Sequence, residues 1–151
     1  MTETSTVSAS REIPTAATDI FNLLSNPVRH PETDGTGGVR SLDQGDRIKA
    51  VGDTFRMNMT NDEGDYQTDN EVFAFVENRV IGWQNLRNVT NGVQVGAKWL
   101  WELEPLDAGT TNVTLTYDPT EIDDPAVRSL AKNYDASALE SSLAGLAATL
   151  A

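Results

Sequence analysis

The chain has 151 residues, 38% of them hydrophobic, a formal net charge of −12 and no cysteine. That length supports one domain with a real core and falls short of two ordinary ones, so one domain over residues 1–151 with one site is expected. Without cysteine there is no disulfide framework, thiolate nucleophile or cysteine zinc site, and the negative charge argues against nucleic acid and anionic lipid, whose phosphates are bound through Lys and Arg.

The first predicted strand covers residues 5–13, with Val7, Ala9 and Arg11 on one face, and stops at Pro14. Thr15 then offers an N-cap hydroxyl, and Ala17, Ile20, Phe21 and Leu24 follow at helical spacing before Asn26-Pro27 ends a short amphipathic helix. Residues 30–52 are rich in Gly, Pro and Asp and read as a loop region with one short strand near residues 39–42. Gly35-Thr36-Gly37-Gly38 lacks the third spaced glycine of a dinucleotide site and reads as loop.

The middle of the chain alternates with a period of two, the mark of half-buried antiparallel strands. Phe55, Met57 and Met59 share one face. The turn 61–65 hands over to a strand at 66–76, and Asn78-Arg79 leads into another at 80–86. Residues 94–103 form the clearest strand, placing Val95, Ala97, Trp99, Trp101 and Leu103 on one face and Glu102 and Glu104 on the solvent side. Asp107-Ala108-Gly109 turns the chain into 112–118, where Val113, Leu115 and Tyr117 face inward.

Asp123, Asp124 and Pro125 supply capping and first-turn chemistry for a terminal helix at 126–150. Val127, Leu130, Ala131, Tyr134, Ala138, Leu139, Leu143, Leu146 and Leu150 give it one continuous apolar stripe. Such a helix would run on the order of 37 Å, enough to cross a sheet of strands about 33 Å long.

Residues 10–14 (Ser-Arg-Glu-Ile-Pro), 20–27, and His30-Pro31-Glu32 with Asp34-Gly35 resemble the opening of actinobacterial proteins of the START-like, or SRPBCC, superfamily, often named polyketide cyclase or dehydrase. Residues 68–72 with Phe75, and Ile81-Gly82-Trp83, are similar to that family's paired central strands. The resemblance implies an α+β helix-grip fold, a curved antiparallel sheet wrapped around a long C-terminal helix. Its motifs are packing and turn residues, which specify fold better than function.

His30 is the only histidine and cannot assemble a multi-histidine metal site, so neither metal nor cofactor is expected. Beside Asp34 it is the one catalytic candidate, with loop anchoring as the competing role. No Gly-x-Ser-x-Gly elbow is present. The predicted ligand-facing wall comprises Phe55, Met57, Met59, Val72, Trp83, Trp99, Trp101, Leu115, Tyr117 and Tyr134. Alternation with Val72 turns Asn70 inward, and Asn70, Tyr117 and Tyr134 are the expected orienting polar contacts, unless a bulge between Asn70 and Phe75 reverses the faces.

The leading expectation is binding or transfer of an apolar small molecule such as a lipid, a polyketide or an aromatic metabolite. A cyclase, aromatase or dehydratase-type enzyme and a protein-interaction module are the alternatives. Residues 1–10 are polar, unlike a signal peptide, and no stretch approaches the roughly 18 apolar residues of a membrane span, so a soluble cytoplasmic protein, monomer or homodimer, is expected.

Overall fold

A computed structural model describes residues 6–34 and 38–151. The glycine-rich segment at 35–37 and residues 1–5 at the start of the first predicted strand lie outside the described residues. The strands are β1 (Val7–Ile13), β2 (Val39–Gln44), β3 (Thr54–Asn61), β4 (Gly64–Val76), β5 (Val80–Asn88), β6 (Lys98–Asp107) and β7 (Thr110–Asp118). They form one seven-stranded sheet in the order β1-β7-β6-β5-β4-β3-β2, antiparallel throughout. Helix α1 is Ala17–Leu24, α2 is the single turn Pro125–Arg128, and α3 is Ala136–Leu150. The sheet is curved and open, and with the C-terminal helix it makes the expected helix-grip arrangement.

The meander is set by its turns. Asn61 pairs Gly64 across a two-residue connection, and the Asn61 side chain accepts from the Glu63 amide. Asn78 takes the left-handed conformation between β4 and β5, with φ 63°, which Asn tolerates better than most residues. Apolar side chains of one sheet face join α1 and α3 in a single core, where Ile20, Ile81, Val113 and Leu146 are fully buried. The other face carries hydroxyl pairs such as Ser8–Thr116 and Ser10–Thr114.

Three expectations are corrected. Thr15 does not cap α1: the N-cap is Ala16, without a side-chain bond, and the Thr15 carbonyl instead accepts from Thr111 Oγ1 at 2.8 Å. The strand expected at 94–103 begins only at Lys98. Gly96, with φ 109°, breaks the extended run, and a Cβ there would lie 2.5 Å from the Glu121 carbonyl.

The third correction concerns the terminal helix, which is not continuous from 126 to 150. Asp124 caps α2 by accepting from the amides of Ala126 and Val127, a 3-10 segment Ser129–Asn133 follows, and Tyr134 leaves the helical region at φ −109°, ψ 63°. Asp135 then caps α3 through the Ala138 amide. An Asp side chain that bonds a nearby amide competes with helix continuation, and here the Asp135 cap divides the stripe. The resulting α3 spans 15 residues, about 22 Å, and packs against β1 and β7 at one side of the sheet. Leu139, Leu143 and Leu146 carry its buried stripe, whereas Leu130 is 51% exposed.

Candidate functional site

The split helix leaves space over the middle of the sheet. A cavity of about 540 Å³ lies there, bounded by β3–β7, the 3-10 turn Pro27–Glu32, the segment 122–134 and the start of α3. All three tryptophans and all three tyrosines of the chain line it, as does its one histidine.

Of the residues singled out from sequence, Phe55, Met57 and Met59 enter from β3, Asn70 from β4 and Trp83 from β5. Trp99 and Trp101 come from β6, Leu115 and Tyr117 from β7, and Tyr134 from the break before α3. Val72 is the exception: it is buried in the core and does not line the cavity. The anticipated bulge exists, as a register shift between Val72 and Ala74, but it falls after Asn70. It therefore leaves Asn70 inward, turns Phe75 onto Phe21 at 5.3 Å between centroids, and puts Phe73 beneath Lys98.

Asn70 has its hydrogen bonds met by protein. Its Nδ2 donates to the carbonyls of Phe55 and Thr68, and its Oδ1 accepts from Asn85 Nδ2. Asn85 Oδ1 in turn accepts from Trp99 Nε1 at 2.9 Å. This chain across β4, β5 and β6 satisfies buried polar atoms that would otherwise be costly to desolvate. Sequence reasoning missed Asn85. Its alternation with Trp83 placed it on the cavity face, but only the register shift between Asp69 and Asn70 brings it opposite Asn70.

His30 is a buried part of the wall. Its ring stacks on Trp83, meets Phe55 edge-on, and Nε2 lies 2.7 Å from the Leu24 carbonyl. A carbonyl only accepts, so Nε2 carries the proton and Nδ1 of the neutral ring keeps a lone pair. Burial pushes the imidazole down to about 4, more than the Leu24 bond raises it. His30 is therefore neutral near pH 7.

Trp99, Tyr117 and Tyr134 pack in a triad, with centroids 4.6 to 5.2 Å apart. Burial raises the phenol of each tyrosine, Tyr66 to about 12. All three stay protonated and act as neutral donors or acceptors. Tyr66, Ser142, Asn88 and Val93 also line the cavity and were absent from the sequence-based set. Among the described residues no group of three or more His, Cys, Asp or Glu is placed to hold a metal ion. No helix among them is long and apolar enough to cross a membrane.

Comparison with known proteins gives a match over residues 4–151 to the family model described as polyketide cyclase / dehydrase and lipid transport. An uncharacterized protein of Mycobacterium tuberculosis, Rv0088, is 31% identical over 96% of this chain. The chain spans 61% of that relative's length. Among solved structures, protein Ms6760 of Mycobacterium smegmatis superposes with a TM-score of 0.72 at 15% identity, covering 97% of this chain and 91% of that one. A START superfamily protein of the same organism gives 0.69 at 16% identity, covering 97% of each chain. Ginseng major latex-like protein 151 gives 0.62 at 14% identity, covering 96% of each. At these identities the structural likenesses establish the fold alone.

Proposed function

The chain belongs to the polyketide cyclase / dehydrase and lipid-transport family, and from that premise we propose that it binds, and carries, an apolar small molecule in the cavity between the sheet and the C-terminal helical segment. The observation that supports this reading is the concentration of large aromatic side chains around unfilled space. A core made only for stability is packed to the density of an organic crystal, with few voids larger than water. Here Trp83, Trp99, Tyr117 and Tyr134 face a volume of about 540 Å³, within the ordinary range of small-molecule sites.

The polar groups on the wall favour holding over proton transfer. His30 spends its one N–H on Leu24, and burial keeps it uncharged. Asn70 and Asn85 are tied to each other and to Trp99. Lipid, polyketide and aromatic metabolites all meet these demands, and the family description covers both transport and cyclisation.

Native mass spectrometry of the purified chain, with Nile red titration as a second readout, tests the reading. A co-purifying small molecule, or saturable dye binding at one site, is expected. A ligand-free species that binds no dye would sink it.

A further inference from the structure

We propose that the cavity selects by charge, accepting an uncharged amphiphile and rejecting the same chain ending in a carboxylate. This deepens the binding reading above and rests on it. Its basis is the set of charged groups around the cavity. Among the described residues lining it there is no Lys or Arg, whereas Asp34, Glu63 and Asp124 are all present.

No described Lys or Arg lines the cavity, and several have partners of their own. Arg56 pairs with Asp69, Lys98 with Glu121, and Arg29 with Glu32. Arg128 follows the lining residue Val127, yet its guanidinium donates to the Ile122 carbonyl. Lys132 is exposed and does not line the cavity.

The interior offers only neutral partners. His30 presents an uncharged ring, and the phenols of Tyr66, Tyr117 and Tyr134 remain protonated. A carboxylate taken from water into this space meets no cation among the described lining residues, and the charged residues that line it have its own sign. An alcohol leaves water with far less loss, because a tyrosine hydroxyl or the His30 lone pair can replace its hydrogen bonds. The overall charge of −12 acts in the same direction at longer range.

Displacement of Nile red from the intact chain by dodecan-1-ol and by dodecanoate, near neutral pH and below micelle formation, reads the selectivity. Dodecanol should displace the dye at a concentration at least about tenfold lower than dodecanoate. Glu63→Lys is the second arm, because the Glu63 side chain is exposed at the β3–β4 turn, where its backbone amide donates to Asn61 Oδ1. It should strengthen dodecanoate about threefold or more relative to dodecanol, whose uncharged head group the new charge does not attract. Equal displacement by the two amphiphiles, or a Glu63→Lys effect on both alike, would overturn charge selection while leaving ligand binding in place. Absence of dye binding, with neither amphiphile retained in native mass spectra, would instead remove the binding reading, and the selectivity falls with it.

Discussion

His30 lies face to face with Trp83, ring centroids 4.5 Å apart and planes 19° apart, while its Nε2 bonds the Leu24 carbonyl at the end of α1. One side chain thus ties the end of the first helix to the middle of the sheet. The role of loop anchor, weighed against catalysis in the sequence, rests on these two contacts.

This arrangement makes stability depend on pH with a definite sign. Burial lowers His30 to about 4 in the folded chain, against about 6.5 when unfolded. Between those values the unfolded chain binds the extra proton, so the contribution is fully present above about pH 6.5 and is lost as pH falls toward 4. The loss approaches about 3 kcal/mol. Urea melts of the parent and of His30→Gln should diverge between pH 6.5 and 5, with the parent losing more on acidification. Parallel curves would show that His30 is not held neutral.

Two glycines with positive φ should respond differently to a methyl group. Gly96, at φ 109°, would place a Cβ 2.5 Å from the Glu121 carbonyl, whereas Gly92, at φ 75°, has open space. Gly92→Ala meets only the backbone preference and should cost about 1 kcal/mol. Gly96→Ala adds a clash with backbone rather than with a flexible side chain, so it should cost about 2 kcal/mol more. Equal melting midpoints would refute the close approach of residues 96 and 121.

Gly96 also marks where the sequence stopped being legible. Alternation identified the meander and the inward faces of β3, β6 and β7, because period-two burial is a local property of each strand. The same alternation carried the sixth strand back to residue 94, since a glycine's conformation depends on Glu121, distant in sequence. The apolar stripe likewise ran through Asp135, whose capping bond to Ala138 exists only once the helix is divided. While Tyr66 was missed, Trp83, Trp99, Trp101, Tyr117 and Tyr134 on the cavity wall were readable from their places on the predicted elements. Asn85 was not, because its partner is fixed by a bulge.

The Asn70–Asn85 pair supports a third prediction. Asn70 Nδ2 donates toward the carbonyls of Phe55 and Thr68. Asn70→Asp replaces that donor with an acceptor facing two other acceptors in a buried site, so it should destabilise by about 2 to 4 kcal/mol at neutral pH. Protonating the new carboxyl restores a donor, and the difference from the parent should narrow as pH falls. A chemical-denaturation series across that range would show it, and a difference that stays constant with pH would mean the side chain has turned away.

The last prediction sets two neighbouring tryptophans against the ranking that burial alone suggests. Trp101 is 4% exposed, whereas Trp99 is only partly buried. Void formation therefore argues that Trp101→Phe should be the more damaging change. Hydrogen bonding argues the opposite. Trp99 Nε1 donates to Asn85 at 2.9 Å, while Trp101 Nε1 is buried without a partner among the described residues. Replacing Trp101 by Phe removes an unpaired buried donor whose desolvation costs about 1 to 3 kcal/mol, which offsets the lost volume. Replacing Trp99 by Phe breaks the chain to Asn85 and Asn70 and leaves an acceptor without its donor. Urea melts should therefore show Trp99→Phe costing at least as much as Trp101→Phe, with dye affinity also changed because Trp99 stands in the aromatic triad. If Trp101→Phe proves worse by more than about 1 kcal/mol, packing outweighs the unpaired donor, and Trp101 belongs to the core rather than to the site.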